Sequence, residues 1–217
     1  MSAISAIIDF IIHIDKHLVE IVQNYGTLTY AILFVIIFCE TGLVVTPFLP
    51  GDSLLFVAGA LSALGSLNII LLYFILLLAA ILGDSLNYTI GRYLGNKIID
   101  KSNSKIINKE NIERTQDFFK RHGAKTIVLA RFMPIIRTFA PFLAGAGKMA
   151  YHRFFAYNVI GAVLWVTIFV FGGYFFGNIP IIKENLSLLV IGIVAVSLLP
   201  VVIIRIADKR RTKKNGL

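Results

Sequence analysis

Charged side chains are scarce in this chain. Only 15% of its 217 residues are Asp, Glu, Lys or Arg, whereas 57% are hydrophobic and the mean hydropathy is +0.81. A soluble domain usually has about a quarter of its residues charged. The composition therefore excludes an ordinary soluble domain. It predicts an all-α polytopic membrane protein with no room for a sizeable soluble module.

Cysteine and catalytic patterns are equally sparse. The single cysteine, Cys39, excludes an internal disulfide and a cysteine-based metal cluster. His13 and His17 have metal-ligand spacing, but no third ligand lies near them in sequence, so we expect no metal and no other cofactor. With no Ser/His/Asp set and no nucleotide-binding loop, we do not expect an enzyme.

The first residues lack a basic region and carry Asp9, so we expect no signal peptide.

The net charge of +9 comes from clustered basic residues. Nine lie from Arg92 to Lys125, two at Lys148 and Arg153, and six from Arg205 to Lys214. This pattern is typical of the cytoplasmic loops of membrane proteins. It predicts that these loops, and the basic tail over residues 208–217, are cytoplasmic. We expect no nucleic-acid partner.

Two apolar stretches are interrupted by proline and glycine. In residues 28–65, the apolar part after the interruption has only twelve residues, from Ser53 to Leu64, or about 18 Å of helix against a hydrocarbon core of about 30 Å. Residues 124–147 lie between two basic loops and carry Pro134 and Pro141 in the middle. Each stretch therefore predicts a re-entrant hairpin, the first entering from outside and the second from inside.

The remaining segments complete one membrane domain over residues 25–207. The sequence predicts an amphipathic interfacial helix over residues 1–24, spans at 68–91, 154–177 and 186–206, an irregular segment at 96–108, and an interfacial helix at 109–122. Two hairpin-plus-span units that enter from opposite faces form an inverted repeat, as in secondary transporters. Pro47–Gly51 and Pro141–Gly145 differ at one position and are predicted to be equivalent in the two repeats, although so short a match could arise by chance.

Four charged residues lie inside the interrupted stretches: Glu40, Asp52, Arg131 and Arg137. Each would cost about 2.5–3.5 kcal/mol if it faced lipid, so we expect acids and bases to meet in a shared cavity at the hairpin tips. One interpretation is structural, with ion pairs that join the two halves. In the other, the arginines bind a phosphate and a carboxylate carries protons, since desolvation lets a carboxylate take up a proton near neutral pH.

Three further residues are candidates for the same site. Asp84, inside the span 68–91, is predicted either to pair with an arginine or relay protons, or to make a simple helix–helix hydrogen bond. Gly51 and Gly145 would let the backbone approach a ligand. Helix N-termini at Ser53 and Pro141 could attract an anion.

Several spaced motifs occur in order along residues 25–178. They are Glu40-x6-Pro47-x2-Pro50-Gly51-Asp52-Ser53, Gly83-Asp84-x3-Tyr88-x2-Gly91-Arg92-x2-Gly95, Arg131-Phe132-x-Pro134-x2-Arg137-x3-Pro141 and Asn158-x2-Gly161-Ala162-x2-Trp165. This set resembles the DedA family of bacterial membrane proteins, in the superfamily also called SNARE-associated Golgi or VTT domain.

The resemblance implies a function in lipid transport. Members of the family are regarded as transporters of undecaprenyl phosphate, or of phospholipids such as phosphatidylethanolamine, that support envelope homeostasis dependent on the proton motive force. The family's essential acidic pair falls on Glu40 and Asp52, and its essential arginine pair on Arg131 and Arg137. The expected partners are therefore a lipid with a phosphate head group and protons, in the bacterial cytoplasmic membrane.

Two alternatives stay open at this point. One is a proton-coupled transporter of a small ion or solute. The other is a non-transporting membrane assembly factor, in which the glycine pairs Gly91/Gly95 and Gly173/Gly177 contact a partner. The sequence leaves the oligomeric state open, a homo-oligomer included, and it gives neither the lipid nor the direction of transport.

Overall fold

The computed structural model describes residues 26–43, 51–100 and 109–179, and the regular secondary structure in this part of the chain is all helical, with no strand. The helices are α1 (Leu28–Gly42), α2 (Gly51–Ala63), α3 (Ile69–Asp100), α4 (Lys109–His122), α5 (Thr126–Ala130), α6 (Pro134–Ala146), α7 (Tyr151–Val166) and α8 (Gly172–Gly177). A 3₁₀ turn (Gly123–Lys125) precedes α5, and a π-helical turn (Thr167–Phe171) joins α7 to α8. The predicted helix over 1–24, the span 186–206 and the tail 208–217 lie outside the described residues.

Local sequence signals account for the connection between α2 and α3. Gly65 has a φ of +80°, and the amides of Gly65 and Ser66 donate to the carbonyls of Ser62 and Leu61. This is the glycine-terminated end that satisfies the last carbonyls of a helix. The Asn68 side chain then accepts hydrogen bonds from the backbone amides at positions 70 and 71, at 3.0 Å each. An asparagine in this position caps the first turn of a helix, so α3 begins there.

The second interruption differs in position from the prediction. We expected Pro134 and Pro141 in the middle of a hairpin, but the break lies at residues 131–133 and Pro141 is inside α6. Met133 is extended because the residue before a proline avoids the helical region, and Pro134 then begins α6. The predicted equivalence of Pro47–Gly51 with Pro141–Gly145 is therefore wrong, since Gly51 begins a helix and Gly145 lies near the end of one.

The long helices are longer than predicted. α3 continues through Asp100, so residues 96–100 are helical where we expected an irregular segment. Residues 151–177 form one apolar stretch that begins three residues before the predicted span. Among the residues that the structure describes, two segments are long and apolar enough to cross a bilayer, Ile69–Gly95 and Tyr151–Gly177. Helix α4 has the bounds that we expected for a short helix.

Helices α1, α2 and α6 have 15, 13 and 13 residues. At 1.5 Å per residue each is about 20 Å long, shorter than a hydrocarbon core of about 30 Å. Their lengths suit re-entrant hairpins, whose placement in the bilayer stays a prediction.

Each short helix after an interruption packs on the long helix of the other unit. α2 packs against the π turn and α8, and α6 packs against α3. Both crossings use a pair of glycines one turn apart, at which an added Cβ would meet the opposite helix: Gly173 and Gly177 on Phe56 and Ala60, and Gly91 and Gly95 on Phe142 and Ala146. In both units, therefore, the short helix after the interruption packs closely on the glycine pair of the other unit's long helical segment. The glycine pairs are occupied inside the chain and are not free to contact a partner.

Two neighbouring glycines test this packing. A Cβ on Gly173 would overlap the carbonyl oxygen of Phe56, whereas a Cβ on Gly172 would lie 3.5 Å from the Phe56 ring, an ordinary contact. We expect Gly173→Ala to lower the unfolding free energy by about 1–3 kcal/mol, the usual cost of overpacking. Gly172→Ala should leave stability unchanged or slightly higher, since alanine favours helix. Thermal unfolding in detergent measures both, and equal midpoints for the two variants would contradict the crossing.

Candidate functional site

Arg137 joins the two interrupted regions. It lies in the first turn of α6, and its Nη1 donates to Asp52 Oδ1 at 2.7 Å, while its Nη2 donates to Glu40 Oε1. Glu40 comes from the last turn of α1 and Asp52 from the first turn of α2. A guanidinium that bridges two carboxylates makes charge-assisted hydrogen bonds at both ends. One arginine thus holds the end of α1 and the start of α2 against α6.

Gly51 is required for this arrangement. Its backbone amide donates to Glu40 Oε1 at 3.2 Å. A Cβ at this position would fall on the Glu40 carboxylate, so no other residue fits without moving the acid. Glycine here allows a carboxylate and a helix N-terminus to approach each other closely.

Arg131 makes a separate and more enclosed set of contacts. Its Nη2 donates to Asp84 Oδ2 and to Asn158 Oδ1, both at 2.6 Å, and lies 3.4 Å from the Ala80 carbonyl. The Asn158 amide in turn donates to the Ile81 carbonyl at 3.0 Å. The side chains of Arg131 and Asp84 are only 2% and 3% exposed. This pair ties the break before α6 to α3 and α7.

Trp165 connects the two arginine sites. Its indole Nε1 donates to Asp52 Oδ1 at 2.9 Å. The guanidinium carbons of Arg137 and Arg131 lie 5.2 and 5.8 Å from its ring centre, within cation–π range. The side chain is fully buried, so this attraction is not screened by water.

Several buried polar atoms at the site have no hydrogen-bond partner. They are Glu40 Oε2, Ser53 Oγ, Asn87 Oδ1, and Arg131 Nε and Nη1. Buried polar groups in native proteins are almost always paired, so this unpaired set distinguishes the site from an ordinary helix-packing interface. Within the described ranges no group of three or more His, Cys, Asp and Glu side chains is arranged to hold a metal ion.

Known proteins resemble this chain over most of its length. The VTT domain family matches residues 49–175. Protein DedA of Escherichia coli strain K12 is 58% identical over 212 residues, covering 97% of each chain. A membrane protein of Mycobacterium tuberculosis strain H37Rv is 39% identical over 88% of this chain and 85% of its own. The chain belongs to the DedA family of VTT-domain membrane proteins.

A more distant relative of this DedA family member is inner membrane protein YghB of E. coli strain K12. It is 36% identical over 177 residues, which cover 82% of this chain and 78% of YghB. No solved structure matches the chain. The resemblance read from the spaced motifs is thus confirmed at the level of family.

In this DedA family member the predicted charges meet, but not as one set of four. Both predicted acids, Glu40 and Asp52, bind Arg137, whereas Arg131 binds Asp84. Gly145 lies eight residues beyond Arg137, about 12 Å along α6, where a Cβ would meet the backbone of Tyr88 and Arg92. Its contacts are those of helix packing, and its role in ligand binding stays a prediction.

Sequence reasoning missed three polar contributors. Trp165 was only one position of a family motif, and the motif did not predict that its indole donates a hydrogen bond to Asp52. Asn158 was only one position of a family motif. Asn87 was a polar position in α3; its Nδ2 donates to the carbonyls of Thr41 and Thr138, at 3.2 and 2.9 Å. All three are buried polar side chains inside apolar helices, and that was the available signal.

The contribution of the buried Arg131–Asp84 ion pair to stability can be compared with that of an exposed ion pair, Asp117–Lys120. Asp84→Asn should lower the unfolding free energy by about 3–5 kcal/mol, because it leaves the Arg131 charge buried without its counter-ion. Asp117→Asn breaks an ion pair with Lys120 whose side chains are 61% and 77% exposed, and it should have little effect. Thermal unfolding of both variants in the same detergent is the measurement. If Asp84→Asn were as stable as Asp117→Asn, the Arg131–Asp84 contact would not hold the fold together.

Proposed function

We propose that this protein is a flippase that moves a phosphate-bearing lipid, such as undecaprenyl phosphate or a phospholipid, between the leaflets of the bacterial cytoplasmic membrane, driven by protons. The observation that supports it is a guanidinium shared by two carboxylates where two interrupted helical regions meet. A guanidinium fork matches the geometry of a phosphate as well as that of a carboxylate, so a phosphate can compete with the carboxylates for Arg137.

The topology supports movement between two faces. Two units of interrupted helix plus long helix pack on each other through matching glycine crossings. In the inverted repeats of secondary transporters, one unit rocks against the other around a central site, and we propose the same movement here. The proposed topology places both hairpins in the membrane, from opposite faces, and the C-terminus in the cytoplasm.

The count of charges supports proton coupling. Three carboxylates, Glu40, Asp52 and Asp84, lie among two guanidiniums, those of Arg131 and Arg137. With every group ionised the cluster carries one negative charge in excess, which is unfavourable in a low-dielectric interior. One proton removes that excess, and a substrate anion at Arg137 would increase the need for it.

A small soluble ion or solute is a second candidate substrate. The same guanidinium would bind any compact anion, so the site alone does not separate the two substrates. A lipid substrate needs a lateral path for its chain, whereas a solute needs a path that excludes lipid. A role as an assembly factor without transport is less well supported, because the glycine pairs assigned to a partner are filled within the chain.

Transport can be measured with purified protein in proteoliposomes. Polyprenyl phosphate is added to the outer leaflet, and its arrival in the inner leaflet is followed with and without a pH gradient. Arg137→Ala should reduce the rate to the protein-free level, because the head group loses its guanidinium. Lys120→Ala, at an exposed position on α4, should match the wild type. Equal rates for Arg137→Ala and wild type would rule out the proposed site.

Glu40→Gln tests the coupling in the same vesicles. The amide keeps the shape of the side chain but cannot ionise, so the pH gradient should no longer accelerate lipid movement. Asp117→Asn, the same kind of change at an exposed carboxylate, should keep the full acceleration. A gradient-dependent rate in Glu40→Gln would remove Glu40 from the proton path. Proton flux that follows an added soluble anion, without lipid movement, would favour the solute transporter.

A further inference from the structure

The two carboxylates on Arg137 differ in how accessible they are. The Glu40 side chain is 1% exposed and also accepts the Gly51 amide, so it is fixed on two sides. The Asp52 side chain is 21% exposed, the largest value among the ion-paired groups of the site. A ligand that approaches Arg137 therefore meets Asp52 before Glu40.

Several hydrogen-bond donors converge where Asp52 lies. Its Oδ1 accepts from Arg137 Nη1 at 2.7 Å and from Trp165 Nε1 at 2.9 Å. Asp52 is in the first turn of α2, a helix of 13 residues whose N-terminus attracts negative charge. The next side chain, Ser53, is buried and its hydroxyl has no partner. A guanidinium, an indole N–H, a helix N-terminus and a free hydroxyl together form a site for a phosphate group.

We propose that Asp52 occupies, in this conformation, the place that a substrate phosphate takes on Arg137. The phosphate would displace the Asp52 carboxylate and accept the hydrogen bonds of Arg137 Nη1 and Trp165 Nε1, while Glu40 keeps its contact with Nη2. This inference rests on the proposed function and specifies the binding site within it.

The chain offers its own probe, because Trp165 is its single tryptophan. Full-length protein in nanodiscs is titrated with farnesyl phosphate while the tryptophan fluorescence is recorded, with farnesol and inorganic phosphate as parallel titrations. We expect a saturable change with farnesyl phosphate and none with farnesol. A response to inorganic phosphate as well would assign recognition to the phosphate alone. No response to either phosphate would overturn the proposal.

Two isosteric variants separate displacement from a simple change in charge. Asp52→Asn removes the competing charge from the accessible side and should tighten farnesyl phosphate binding about tenfold, while transport falls. Glu40→Gln removes the same charge from the enclosed side and should tighten binding much less. Equal tightening by both variants, or weaker binding by Asp52→Asn, would contradict the proposal. Thermal unfolding checks that each variant is folded, and Asp52→Ser serves if the asparagine variant is not.

The hydrogen bond from the Trp165 indole is tested in the Asp52→Asn variant, which lacks the competing carboxylate. Trp165→Phe combined with Asp52→Asn should bind farnesyl phosphate about three- to tenfold more weakly than Asp52→Asn alone, measured by calorimetry. Unchanged affinity would overturn the assigned hydrogen bond from Trp165 to the phosphate. If wild-type protein transports lipid but neither carboxylate variant changes affinity, this inference fails and the proposed function stands. If it neither binds nor transports the lipid, the proposed function fails as well.

Discussion

The burial of charge is the constraint on which the rest of this structure depends. An isolated ion in an apolar interior is far too costly, so each guanidinium must be matched by carboxylates and hydrogen-bond acceptors. Arg137 finds its carboxylates on α1 and α2, and Arg131 finds its partners on α3 and α7. Since neither of these arginines lies on the same helix as its carboxylates, the buried charges are neutralised only when the helices are assembled.

Close packing makes these short contacts possible. Gly51 leaves space for the Glu40 carboxylate, and a Cβ on Gly161 would lie 3.0 Å from the Arg131 side chain. Away from the charged groups, the glycine pairs Gly173/Gly177 and Gly91/Gly95 set the distance between α2 and α8 and between α3 and α6. Small residues therefore determine both how the units cross and how near the charges can approach. A change in the crossing would shift the ion pairs, because the same short helices carry both.

Much of the helix arrangement was predictable from sequence because it follows from apolar length and from charge. The helix over 109–122 and the two long apolar segments were recognisable, as was the pairing of buried acids with buried bases. The break in the second hairpin was misplaced because a proline at a helix N-terminus and a proline inside a helix look alike in sequence. Pro134 begins α6 and Pro141 is tolerated within it. Which acid meets which arginine depends on tertiary contacts, so the assignment of Asp84 to Arg131 required coordinates.

The ion pairs of Arg131 and Arg137 would be broken by different helix movements. The hydrogen bonds of Arg131 go to α3 and α7, its guanidinium lies over the Trp165 ring, and its side chain is almost completely enclosed. Arg137 instead bridges the α1–α2 interruption and α6, with Asp52 as its accessible partner. Separation of α2 from α6 would break the Arg137–Asp52 contact and leave the Arg131–Asp84 pair intact. The enclosed pair can therefore hold the units together while the accessible contact is broken, so the proposed exchange of an anion falls to Arg137 and not to Arg131.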